Sequence, residues 1–331
     1  QVHNRSEYLQ HVISSLRKSR DISTALLIFS HDHYSDEIND IVLSVDFCPV
    51  MQIYYPYSQQ LYSKEFPGED PRDCPRDASK EKAESLNCLN KDTPDKYGHY
   101  REAKYTQTKH HWFWKLNHVF DHLEVTKLYE GLYLFIEEDH YLVEDFIHIL
   151  RLMDRLRSSS CTDCNMMTLG TYDKKPKYEG IHNQVDVMSW MSSKHNMGMA
   201  FNKKTWVEIK KCGTAFCQMD DYNWDWSLHF VSLSCIPSKL KVMMMKAPRV
   251  FHIGECGLHA KGKNCNPSER VQFIEGLVAA NEKYLYPRYM TISGYPAQVK
   301  KVSLLPKLNG GWGDTRDQHL CASFMEAHSH S

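Results

Sequence analysis

The sequence predicts an α/β domain built on a mainly parallel sheet. Short apolar, β-rich runs alternate with stretches of helical periodicity, which is the pattern of βαβ units. Polar residues gather where two of these runs end, at Ser30-His31-Asp32 and at Glu137-Glu138-Asp139. In open α/β sheets, ligands bind outside the carboxyl ends of strands. The chain has 331 residues. At about 300 residues a chain buries roughly 75% of its unfolded surface, so a core needs no cross-link to form.

The elements follow in order. Residues 5–20 place Tyr8, Leu9, Val12, Ile13 and Leu16 on one stripe, with Arg, Ser and Lys opposite, and predict an amphipathic helix. ALLIFSHD and CPVMQIYYP read as strands separated by helix-like polar text. Residues 58–104 are polar and weakly periodic, unusually long for a structureless loop. A disulfide between Cys74 and Cys88 would make that stretch less costly. Residues 109–128 return to helical spacing. The strand Leu132–Ile136 then leads through the acidic triplet to a helix carrying Phe146, Ile149, Leu150 and Met153. The second half is more irregular. MMTLGTY and MGMAFN read as strands, and TWVEIKKC as a helix. No repeat or linker marks a boundary, so residues 1–331 read as one domain.

Composition excludes several classes. There are 40 Lys+Arg against 41 Asp+Glu, a net charge of −1. Nucleic-acid binding needs a cationic surplus that is missing here. No apolar run approaches the roughly 20 residues of a membrane span, and no signal peptide is visible. The chain reads as an excised catalytic region. Eleven cysteines suit an oxidising compartment with most of them paired. Cys161-x-x-Cys164 lacks the matching second pair of a zinc ribbon and reads as a local disulfide. The P-loop, dinucleotide and nucleophile-elbow motifs are absent.

Four features could carry chemistry. The triplet 137–139 offers oxygen ligands to a hard cation, or else forms a solvated turn capping the next helix. On a continuing strand, Glu137 and Asp139 would face one way and Glu138 the other. DDYNWDW at 220–226 interleaves aromatics with carboxylates, as a carbohydrate site would. On a helix Asp221 and Asp225 share a face; in a strand Tyr222, Trp224 and Trp226 do. An aromatic core segment with surface carboxylates is the plain alternative. His252, after a short apolar run, is either a metal ligand or an ordinary histidine. Lys109-His110-His111 is either a phosphate cradle or a basic helix start.

Taken together, these segments resemble the N-acetylglucosaminyltransferase II family. The resemblance lies on QVHNR (1–5), FSHD (29–32), FPGEDPRDCPRD (66–77) and GHYREAKYTQTKHHW (98–112). It continues through FIEEDHYL (135–142), LGTY (169–172), KHNMG (194–198), DDYNWDW (220–226), RVFH (249–252) and NGGWGDTRD (309–317). It covers essentially the whole chain.

The resemblance implies a GT-A type fold, a Rossmann-like α/β/α sandwich around a mixed sheet, stapled by disulfides. Residues 1–140 would mainly bind the UDP-sugar and residues 141–331 the acceptor. It implies an inverting, metal-dependent transfer of GlcNAc from UDP-GlcNAc to the 2-hydroxyl of the α1,6-arm mannose of an N-glycan on a glycoprotein. Asp225 would be the base. Asp139 and His252 would hold Mn2+. Gln1, Val2, His3, Asn4, Arg5, Asp32, Gln107, Thr108, Lys109, His110, His111 and Glu138 would contact the UDP-sugar, and Asn196, Tyr222 and Trp224 the acceptor.

The resemblance also implies the bridges Cys74–Cys88, Cys161–Cys164, Cys212–Cys235, Cys217–Cys321 and Cys256–Cys265, with Cys48 a buried thiol. The full protein would be anchored in the Golgi membrane with this region in the lumen. Two positions depart from the family. Ser6 replaces a proline and creates a sequon at Asn4, expected to be unglycosylated beside a nucleotide. Pro176, between Lys175 and Lys177, stands where the family can place an arginine for the acceptor. A related transferase acting on another mannose arm, and a non-catalytic lectin-like protein, are the competing readings.

Overall fold

The computed structural model describes residues 1–173, 176–254, 266–294 and 308–326. In chain order these residues form α1 (Ser6–Arg17), β1 (Leu27–His31), α2 (Asp36–Leu43), β2 (Val50–Tyr54), α3 (Lys80–Leu86) and α4 (Ala103–Asn117). Next come β3 (Leu132–Phe135), β4 (His140–Leu142), α5 (Phe146–Ser160), β5 (Met166–Thr168), β6 (Gln184–Ser189), α6 (Ser192–His195) and β7 (Met199–Asn202). Then follow α7 (Lys203–Lys211), α8 (Gly213–Gln218), α9 (Trp224–Ser234), β8 (Lys241–Met245), β9 (Val250–His252), α10 (Ser268–Ala280), β10 (Thr291–Gly294) and α11 (Thr315–Ser323).

The chain divides into two compact units, neither continuous in sequence. The first comprises Gln1–Ile53, Leu132–Asn202 and Leu240–Lys301. It contains a six-stranded sheet in the order β10-β6-β8-β5-β7-β3. β10 pairs with β6, and β8 with β5, in parallel. β6–β8, β5–β7 and β7–β3 are antiparallel. The sheet is therefore mixed, not mainly parallel. The alternation that suggested parallel pairing lies before residue 54, and its strands β1 and β2 form a separate two-stranded sheet. The larger sheet is built from later strands, where the pattern is irregular.

The stripe of α1 is buried as its spacing demands: Tyr8, Leu9, Val12, Ile13 and Leu16 all lie inside. Val12 and Leu16 join Phe146, Ile149 and Met153 of α5 in one core with Met167, Val185, Val187, Met243 and Met245 of the sheet. Cys48 is half-buried, just before β2 begins at Val50, so it is neither in the strand nor fully enclosed.

The second unit comprises Tyr54–Gly131, Lys203–Lys239 and Val302–Ser331. Its central helix is α4, buried around most of its circumference, which explains why its sequence shows no clean polar face. It starts earlier than its periodicity suggested and ends at Asn117, passing into a π-helical turn at His118–His122. Trp112 and Phe113 pack on Phe216 of α8 with ring centroids 5.6 and 4.7 Å apart. The polar stretch 58–104 contains α3 and is closed by Cys74–Cys88. Cys212–Cys235 and Cys217–Cys321 staple the later segments, and Cys161–Cys164 closes a short loop in the first unit. Four of the five expected bridges are thus present; Cys256–Cys265 lies outside the described residues.

Candidate functional site

In the first unit the chain start lies beside the carboxyl end of β1. Val2 N–H donates to Ser30 O at 2.8 Å, and Asp32 N–H to Val2 O at 3.3 Å. This register brings His3 Nδ1 to 2.6 Å from Asp32 Oδ1. Glu138 binds the same segment, accepting from His3 N–H at 2.7 Å and from Arg5 Nε at 2.6 Å. Arg5 Nη2 lies 3.0 Å from Asp139 Oδ2. Gln1 to Arg5, Asp32, Glu138 and Asp139 are therefore gathered in one place.

His252 reaches the same place through a strand pair. β4 and β9 are antiparallel, with His140 opposite His252, and Ile253 N–H donates to Asp139 O at 2.8 Å. This pairing sets Asp139 Oδ2 3.3 Å from His252 Nε2. The acidic triplet is not a solvated helix cap. β3 ends at Phe135, Glu138 and Asp139 are buried, and the next helix begins only at Phe146. Burial alone would raise the Asp139 carboxyl, but His252 and Arg5 hold it well below the usual carboxylate range. Burial opposes charge on His252, yet Asp139 raises its pKa. His140, fully enclosed, is pushed down to about 4.

The Asp139–His252 pair fits a divalent cation. Asp139 Oδ1 is buried without a hydrogen-bond partner, a lone pair left over for a ligand. A Cβ built on Gly254 would lie 2.6 Å from Asp139 Oδ2 and 2.8 Å from His252 Cε1, so the glycine keeps the space beside both groups open. Carboxylate with imidazole is a donor set suited to Mn2+. Glu137, Asp139 and His140 also offer ligand atoms within 4.8 Å of one another, but His140 Nδ1 already accepts from Glu137 N–H at 3.2 Å.

In the second unit DDYNWDW is neither one helix nor one strand. Residues 220–223 form a loop, and α9 begins at Trp224. Asp220 accepts from the N–H of Lys96 and Trp312. Asp221 accepts from the N–H of Asn223 and Asn309. These two carboxylates hold backbone. Asp225, in the first turn of α9, is half-buried and accepts from Trp226 N–H. Trp224 is buried and stacked on Trp112 at 4.4 Å and 8°.

Residues 107–111 lie on α4. Gln107 Oε1 accepts from Gln59 N–H, and Thr108 is half-buried. Lys109 is fully enclosed, its ammonium donating to Met219 O at 2.9 Å and Asp221 O at 3.1 Å. His110 Nε2 lies 2.8 Å from Asp317 Oδ1. Burial holds His110 down, so a neutral ring donates through Nε2 and leaves Nδ1 bare, as observed. His111 is buried beside Tyr55.

The family model for N-acetylglucosaminyltransferase II (MGAT2) matches residues 1–321. The chain belongs to the N-acetylglucosaminyltransferase II family. The chain is 49% identical to the alpha-1,6-mannosyl-glycoprotein 2-beta-N-acetylglucosaminyltransferase of Rattus norvegicus, over 98% of this chain and 73% of the relative. It is 47% identical to that of Homo sapiens, over 98% and 72%. Identity to that of Arabidopsis thaliana is 36%, over 100% and 74%. As a member of the N-acetylglucosaminyltransferase II family, the protein is an N-acetylglucosaminyltransferase. Among the described residues no helix is long and apolar enough to cross a membrane.

Further features of this N-acetylglucosaminyltransferase complete the picture. Asn196 accepts from the exposed Tyr172 hydroxyl in the first unit. Tyr222 packs on Tyr105 at 4.9 Å, and both line a pocket of about 230 Å3 with Arg76, Asp95, Glu102 and Asn309. Of the flank of Pro176, Lys175 lies outside the described residues. Sequence reasoning missed Gly254 and His140. A glycine two residues past His252 is a weak signal, and His140 gains meaning only through its strand partner.

Proposed function

We propose that this protein moves GlcNAc from UDP-GlcNAc to the 2-hydroxyl of the α1,6-arm mannose of an N-glycan, forming a β1,2 linkage with inversion. Family membership supports the transferase class. The convergence of Asp139, His252 and the 1–5 segment is the observation that carries the donor site. Asp139 and His252 would hold Mn2+, which when bound supplies positive charge to offset the negative charge developing on the departing diphosphate. Glu138 orients Arg5 and His3 beside the donor.

Asp225 takes the proton from the acceptor hydroxyl. The oxygen so activated attacks C1 of GlcNAc, and the bond from C1 to the diphosphate oxygen breaks. A single displacement inverts the anomeric centre and needs no covalent nucleophile. The pocket lined by Tyr105 and Tyr222 receives a sugar of the acceptor, whose C–H faces pack on the rings while Arg76 and Glu102 meet hydroxyls. Asn196 is a further acceptor contact. Asn4 is exposed, and we place it beside the donor without a glycan. The fold is of the GT-A type, and the enzyme works in the Golgi lumen. UDP release, measured with and without acceptor and Mn2+, tests donor, cation and turnover together. Release that ignores both additions would overturn the reading. Linkage mapping of the product on two isomeric mannose-arm glycans checks the arm.

A further inference from the structure

Lys109 is a wholly enclosed cation that touches no solvent. Its ammonium makes two hydrogen bonds, both to main-chain carbonyls, at Met219 and Asp221. Two aromatic rings flank it: Nζ lies 4.1 Å from the Trp312 ring centroid and 5.2 Å from that of Phe216. A group so placed has no line to a diphosphate. One turn further along α4, Trp112 stacks on Trp224 at 4.4 Å and 8°. The segment 219–224 is thus gripped at both ends by a single helix. Between the grips, Asp221 ties down the N–H groups of Asn223 and Asn309 at 2.8 and 2.7 Å. Asn223 O in turn accepts from Ser227 N–H at 3.2 Å and starts the first turn of α9. Asp225 sits in that turn, one residue past the Trp224 grip.

We propose that Lys109 and Trp112 form a positioning clamp that sets the Asp225 carboxylate, and that Lys109 acts through this loop rather than by touching the nucleotide. This deepens the assignment of Asp225 as base and rests on it. A buried lysine is a demanding way to hold a loop. Burial lowers its pKa well below the ordinary value, against the pull of Asp221, Asp220 and Asp317. Its advantage is reach: one flexible stem satisfies two carbonyls that an apolar side chain would leave unpaired. Those carbonyls lie in the loop that delivers Asp225. A displacement there of about 1 Å is enough to cost roughly 100-fold in rate.

The test compares Lys109→Met, Trp112→Phe and Asp225→Asn in the intact chain, below the melting temperature of each. The clamp predicts that Lys109→Met lowers kcat roughly 100-fold while KM for UDP-GlcNAc and the calorimetric affinity for UDP with Mn2+ stay within about twofold. Trp112→Phe, which keeps a ring on Trp224 and is gentler on folding, lowers kcat less with the same unchanged KM. A loss of UDP affinity in Lys109→Met would show direct nucleotide contact and overturn the clamp. Unchanged kcat in both variants would overturn it as well. Asp225→Asn separates the two ideas. If it keeps turnover, the base assignment fails; if it is inactive while the α4 variants turn over normally, only the clamp fails.

Discussion

Gly254 decides how much room stands beside Asp139 and His252. Its backbone is not in the left-handed region, so alanine there adds no strain of its own. The added methyl group would nevertheless press on Asp139 Oδ2 and the His252 ring at under 3.0 Å. Gly254→Ala should therefore weaken Mn2+ binding in the presence of UDP, roughly 10- to 100-fold, as disturbed metal surroundings commonly do. The melting temperature of the cation-free protein should hardly move. Counting free Mn2+ by electron paramagnetic resonance reads this without any turnover. Unchanged affinity would place the cation elsewhere, for instance toward Glu137 and His140. At the same scale, Arg5 is more than a positive charge near the chain start. It is clasped by Glu138 and Asp139, so its position is already set. With a net charge of −1, the protein has no broad cationic field, and its positive charge acts through such local groups.

Between residues, the elements that deliver Asp139 and His252 are two short strands locked behind the site by a buried ion pair. Arg249 just precedes β9, and Asp145 follows β4. Arg249 Nε donates to Asp145 Oδ1 at 2.6 Å, with both side chains fully enclosed. Arg249 also donates to Ala247 O, and Asp145 Oδ2 accepts from Tyr286 N–H at 3.0 Å. Arg249→Met fills the volume but strands the Asp145 carboxylate. It should cost about 3–5 kcal/mol of stability, measured by urea unfolding, and a loss below about 1 kcal/mol would mean that the pair is dispensable. This lock could not be read from the chain beforehand. Three-residue strands show no periodicity, and the β4–β9 pairing that unites Asp139 with His252 is long-range. What could be read was local: the α1 stripe, the β1 and β2 runs, and the helix that carries Phe146, Ile149 and Met153. The DDYNWDW segment stayed ambiguous because Asp220 and Asp221 serve distant N–H groups, which no local pattern encodes. Cys161–Cys164 and Cys74–Cys88 were suggested locally, but the long-range cysteine pairs and the Asp139–His252 partnership came into view only through family likeness. Spacing alone leaves both open.

Across the whole molecule, stability of the second unit depends on joining segments far apart in sequence. Cys217–Cys321 spans 104 residues; a loop of about that length is worth at most about 4.7 kcal/mol in the chain-entropy account. Next to it, Asp317 enters the interior from α11 and meets Arg101 through Nε at 2.8 Å and Nη2 at 3.2 Å, with His110 on its other side. Burial alone would raise the Asp317 carboxyl, but Arg101 and His110 overcome it and hold it down to about 2. A carboxylate depressed on folding stabilises the native state at pH above its unfolded value of about 3.9. That contribution is lost as pH falls from about 4 toward about 2. Asp317→Asn removes it and leaves the enclosed Arg101 guanidinium with only the longer contact to Asp73, Nη1 to Oδ2 at 3.4 Å. At pH 7 the variant should be less stable by about 3–5 kcal/mol. The gap from the unaltered protein should then shrink as pH drops through the window from 4 to 2, because the unaltered protein is itself losing the ion pair. Urea unfolding at pH 7, 4, 3 and 2, with disulfides intact, measures the gap directly. A gap that stays constant over that range would mean that Asp317 does not titrate there, and that the acid sensitivity of the second unit resides in other carboxylates.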